Sequence, residues 1–216
     1  MAAAQGRLSD GADGTGNTEE DGNPLAFRQA VEALRTARLR PEMEIDQARP
    51  PQRLAPHAYA LEAAVVQDGN DLADGRLVLL HDPAGHDAWK GTFRLVTLVR
   101  AELEPEMAAD PLFPEVCWSW LTGAFEARGV AYKEPSGTVT LAGSHYFGGL
   151  ANRAPATQIE IRASWTPLEN KGGLPDAGAH LVAWCELLCQ TGGLPPAGGP
   201  EAAVVTLPQR RGPQSR

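Results

Sequence analysis

Residues 93–104 alternate without a break. Phe93, Leu95, Thr97, Val99, Ala101 and Leu103 fall on one side of an extended chain, and Arg94, Val96, Leu98, Arg100, Glu102 and Glu104 on the other. Successive side chains of a strand point to opposite faces, so the segment is a strand with one apolar and one mixed face. A strand inside a parallel sheet, covered on both sides, would be apolar on both. The pattern therefore calls for an antiparallel sheet that is covered on one face and open on the other.

The rest of the chain is read against that requirement. Residues 43–46 alternate as a short strand before Pro50-Pro51 breaks it, and 59–66 and 76–81 read as two more strands. Between these two, Asp68-Gly69-Asn70-Asp71 has the chemistry of a hairpin turn. Residues 137–147 and 157–165 also alternate: Thr157, Ile159, Ile161, Ala163 and Trp165 face one way, and Gln158, Glu160, Arg162 and Ser164 the other. Three segments have helical spacing. The first follows Asn23-Pro24, an N-cap residue and a first-turn proline, and carries Phe27, Ala30, Val31 and Leu34. The second follows Asp110-Pro111, carries Val116, Cys117, Trp120, Leu121 and Ala124, and ends at Gly129. The third starts near Asp176, with Ala177, Leu181, Trp184 and Leu188 as its stripe. Strands follow one another without crossover helices, so the expected class is α+β, a mainly antiparallel sheet of five to six strands packed with three helices.

Composition bounds the domain. Residues 1–24 are small, acidic and almost free of large apolar side chains, and residues 195–216 are rich in Pro, Gly and Ala with a basic end. Neither offsets its ordering entropy by burial, so both are expected to be disordered tails around a single domain, 25–194. Of the formal charge of −8, the first tail holds −4 and the second +2, which leaves the domain near −6. With no run of Lys and Arg interleaved with aromatics, a nucleic-acid partner is not expected. No stretch approaches the length of a membrane span, and the opening residues lack the regions of a secretory signal. Cys117, Cys185 and Cys189 lie in apolar helical contexts and read as reduced core residues, which suits a cytoplasmic protein.

The chemistry-bearing clusters are sparse. His81-Asp82-Pro83-Ala84-Gly85-His86-Asp87 offers metal-ligand types, but Asp-Pro-Ala-Gly is turn chemistry and the histidines are expected to be solvated. No metal is expected there. Cys185 and Cys189 share a helical face, with Cys117 and His180 as conceivable companions for a metal, but a stripe of small apolar residues packed against the sheet is the better account. Ser144 and His145 are neighbours on a strand and point apart, so they are no nucleophile–base pair. No dinucleotide or phosphate loop motif is present, and no cofactor is expected.

Two features remain as candidate sites. The first is the polar face of two strands, with Arg94, Arg100 and Glu102 on one and Glu160 and Arg162 on the other. If the strands are neighbours, these charges either pair with one another or let the arginines grip a carboxylate or phosphate. The second is the tryptophans. Trp118 and Trp120 point to nearly opposite sides of one helix, and an outward Trp118 beside Phe113 would mark a surface for a protein partner. These features support a non-catalytic binding or protein-interaction domain, or else an enzyme or ligand-binding domain that recognises an anionic small molecule on the charged sheet face.

The strings GRLVLLHDPAGHDAWKGTFRLVTLVRAELEPEMAADPLFPEVCWSWL, EIRASWTP and LLCQTGGLPP resemble an actinobacterial domain-of-unknown-function family, the one numbered three thousand. The resemblance runs over about residues 24–196. It implies a high-GC actinobacterial source, and it carries no activity, ligand or catalytic residue over to any position.

Overall fold

The alternating segments do form one sheet. The computed structural model describes residues 22–104, 107 and 109–196. The tails expected over 1–24 and 195–216 therefore lie outside the described residues, apart from 22–24 and 195–196. Along the chain run α1 (Leu25–Arg35), β1 (Met43–Ala48), β2 (His57–Gln67), β3 (Asn70–His86), β4 (Gly91–Leu103), α2 (Phe113–Ala127), β5 (Tyr132–Ser144), a 3-10 turn (Gly148–Leu150), β6 (Ala156–Pro167) and α3 (Ala177–Thr191). The six strands lie in the order β1-β2-β3-β4-β6-β5, every neighbouring pair antiparallel. The class is α+β, as the alternation demands.

Local chemistry accounts for the connections. Asp68 and Gly69 are the two loop residues between β2 and β3, both with positive φ (52° and 79°), the backbone of the mirror-image turn that matches strand twist. Gly129, at φ 61°, follows α2 and lets the Val130 N–H return to the Phe125 carbonyl. At α3 the Asp176 carboxylate accepts from the Ala179 N–H at 3.0 Å.

Two expected caps differ. Pro24, not Asn23, holds the N-cap position of α1, and it has no side-chain cap bond. Asn23 instead places its Oδ1 2.8 Å from His57 Nδ1, tying the start of the helix to the start of β2. Asp110 lies one turn ahead of α2 and accepts from Leu112 N–H at 2.9 Å. The inward stripe of α2 is also rotated from the expected one. Phe113, Cys117, Leu121, Ala124 and Phe125 are buried, whereas Val116 is exposed. Phe125 sets this phase, because its ring wedges between Tyr132 and Trp165 with centroids 4.6 and 4.9 Å away.

The three helices named here belong to one layer. α3 packs against β2, β3 and β4, and α1 and α2 pack against α3 on either side. Eleven of the fifteen residues of α3 are buried, far more than one stripe. Trp165 and Trp184 are fully buried and both have partners: Trp165 donates to His180 Nδ1 at 3.1 Å and Trp184 to Thr97 Oγ1. Even Glu186 is buried, met by Arg128 at 2.9 Å and by Arg40 at 3.8 Å. These three helices thus cover one face of the sheet and leave the other open.

Candidate functional site: the open face of the sheet

The register builds this face row by row. Across its middle lie Glu62, Arg76, Leu98, Arg162 and Thr138, on β2, β3, β4, β6 and β5 in turn. One row to one side holds Ala60, Val78, Val96, Ser164 and Ser136; one row to the other holds Ala64, Asp74, Arg100, Glu160 and Thr140. The charged residues of β4 and β6 are therefore neighbours on one surface, the condition the sequence reading set.

The arginines on this face differ in what holds them. Glu160 stands between two: its Oε2 is 3.1 Å from Arg100 Nε and its Oε1 is 2.7 Å from Arg162 Nε. Burial pushes the Glu160 carboxyl up, but the hydrogen bonds and charges of Arg100 and Arg162 outweigh it and hold the group below its ordinary range. Each guanidinium makes its closest approach to Glu160 through Nε. Among the described residues the terminal nitrogens of both have no hydrogen-bond partner, and the Arg162 side chain is 65% exposed. Glu102 is exposed, opposite Gln158, and pairs with no described cation. Arg94 is buried, and its guanidinium donates to the Glu134 carbonyl and Thr166 Oγ1 at 2.9 Å, Ser164 Oγ at 2.7 Å and Ser136 Oγ at 3.2 Å. Those four bonds lock the start of β5 to β4 and β6.

A trough of about 530 Å³ crosses the middle of the face. Val78, Val96 and Leu98 floor it, Arg76 walls one side, and Arg162, Ser136, Thr138 and Ser164 wall the other. Arg76 is fixed in place: it bonds Glu62 at 3.1 Å and the Arg49 carbonyl of the loop that folds over the outer end of β2 and β3. No imidazole, thiol or carboxylate lines the trough among the described residues, and its two charged walls are both cationic. A hollow of about 650 Å³ lies between α1 and the β6–α3 loop, but the polar groups the loop offers it are taken up by β4, by the loop and by α3. Glu169 accepts from Thr92, Asn170 from Gly172 and Leu174, and Asp176 caps α3.

Arg76 and the trough floor are not separable in the sequence, because the 76–81 run is apolar on both faces. The structure gives the reason: Ala60, Val78 and Leu80 form a small second core beneath Ala55 and Trp89, so even the open face is covered at that end.

The remaining candidates take structural positions. His81 is buried rather than solvated, because β3 continues to His86 and carries it under α1. It stacks on Phe93 at 4.1 Å and its Nδ1 meets the Thr92 carbonyl at 3.1 Å. His86 stacks on Trp89 at 4.6 Å, and no group of three or more metal-ligating side chains forms among the described residues. Burial pushes the Cys117 thiol up to about 12 and Cys189 to about 11, and raises Cys185 as well, so none is a thiolate nucleophile. Trp118 and Phe113 do not form an exposed pair. Phe113 begins α2 facing the core, with Trp120 edge-on at 5.8 Å, while Trp118 lies half-buried over Gly137.

The sequence model of the family described as a protein of unknown function (DUF3000) matches residues 23–200, and the chain belongs to that family. No curated protein and no solved structure matches it.

Proposed function

We propose that this member of the DUF3000 family is a non-catalytic cytoplasmic binding domain whose working surface is the trough on the open sheet face. One observation carries the reading. The trough has an apolar floor and hydroxyl and guanidinium walls, and it offers nothing that abstracts or donates a proton near neutrality. It suits a ligand or partner segment with an apolar body and an anionic group. The body would lie on Val96 and Leu98, and the anion would meet the free terminal nitrogens of Arg162, with Arg100 beside it. Three free, buried thiols fit a reducing compartment, and no described helix is long and apolar enough to cross a membrane.

A panel of anionic metabolites tested by thermal shift on the full chain checks this. A true ligand at about a hundredfold over its Kd adds roughly 2.7 kcal/mol, a rise of about 5–10 °C for a domain of this size. Arg100→Ala with Arg162→Ala should abolish that rise. A rise that survives the double substitution, or no response to any anion, overturns the anionic part of the reading.

A further inference from the structure

We propose that residues 136–144 of β5 pair antiparallel with the same strand of a second copy, about a two-fold axis through Thr140, so that the protein is a dimer with one continuous sheet. β5 is a sheet edge, since its one partner among the described strands is β6. An edge exposes a row of unpaired N–H and C=O groups, and monomeric proteins blunt it with charge, proline or a bulge. β5 has all three at its start: Lys133, Glu134 and Pro135 sit at a register break where Glu134 has φ 51°. From Ser136 to Ser144 it has none of them. The other edge, β1, is shorter and carries Glu44 and Asp46 on its open face, so two copies meeting there would bring carboxylates together.

What selects a second copy over an unrelated strand is the order of residues. Ser136-Gly137-Thr138-Val139-Thr140-Leu141-Ala142-Gly143-Ser144 reads nearly the same in both directions. Antiparallel pairing about Thr140 sets serine opposite serine, glycine opposite glycine, Thr138 opposite Ala142, and Val139 opposite Leu141. Val139 and Leu141 lie opposite Ile161 and Ile159, on the helix-covered face, and each is half-buried in the single chain. Pairing would join the two Val139–Leu141 sets and carry the core across the axis. The glycines fit the same geometry. Trp118 presses on Gly137, where a Cβ would come within 2.7 Å of its ring, while Gly143 has nothing within 4 Å. Opposing Gly143 to Gly137 keeps the space beside the Trp118 ring free of side chains from the mate. Nine residues a side make a small interface, so a dissociation constant on the order of micromolar is expected.

Sedimentation equilibrium on the full chain at up to about 100 µM should show a dimer. Thr140→Lys places two ammonium groups at the axis and should weaken the dimer more than about tenfold. Its fold should be retained, because position 140 faces Glu160 on β6. Mixing Thr140→Lys with Thr140→Glu should restore association by placing opposite charges there. Gly143→Asp, at a site with open space, should also dissociate the dimer. A monomeric wild type, a dimer unaffected by either single substitution, or a Lys–Glu mixture that fails to associate overturns the proposal.

Discussion

His180 shows how much one buried side chain commits the fold to a charge state. Burial depresses it from an ordinary 6.5 to about 4, against a smaller opposing pull from Asp176 and the Ala131 carbonyl. The ring is neutral in the folded protein and accepts from Trp165. As pH falls from 6.5 to 4 the unfolded chain binds a proton that the folded chain refuses, so stability is lost through that window, by about 3 kcal/mol in total. Burial lowers His81 too, and its contribution has the same sign. Denaturant melts at pH 7 and pH 4.5 should show the loss, and His180→Gln should remove most of this group's share of it. Arg94 is the opposite case, a buried cation that keeps its charge by satisfying four acceptors. Arg94→Met strands those acceptors and should cost about 3 kcal/mol, read as a fall in Tm without loss of the residual fold.

Among the elements, β3 and α3 meet at Gly75. A Cβ there would lie 2.9 Å from both Leu188 and Trp184 and 3.0 Å from the Leu98 carbonyl. The glycine lets the helix seat directly on the strand. Gly75→Val should destabilise by at least 1–3 kcal/mol, checked by chemical unfolding, because backbone on one side and a fixed indole on the other leave little room to yield. The strands were legible in the sequence because a two-residue period survives wherever one face is wet. Residues 93–104 and 157–165 show it, and Arg100, Glu160 and Arg162 could be placed on one surface from it alone. The period disappears in the middle of β3, where residues 77–81 are covered on both faces, and with it went Arg76 and the floor of the trough. Helix phase was legible for α1, which packs by one stripe, but not for α2, where Phe125 outcompetes Val116 for the core. Which partner each arginine takes depends on strand order, which no local pattern encodes.

On the scale of the whole molecule, α1, α2 and α3 cover one face of the sheet and none of them covers the other, so among the described residues the sheet is a wall between a dry interior and an open face. At the C-terminal side contacts run past α3: Leu194 is buried and the Pro195 carbonyl accepts from Arg40 at 2.8 Å. A chain of residues 22–196 should therefore melt within about 4 °C of the full protein, whereas ending it at residue 193 should lower Tm further. α3, the helix against which α1 and α2 lean, comes after every described strand. During synthesis the six described strands are consequently complete before α3 is, and the nascent chain leaves the apolar surface under α3 uncovered until residue 191 has emerged. Ribosome-stalled chains ending before Ala177 should be cut readily by protease where those that expose all of α3 resist.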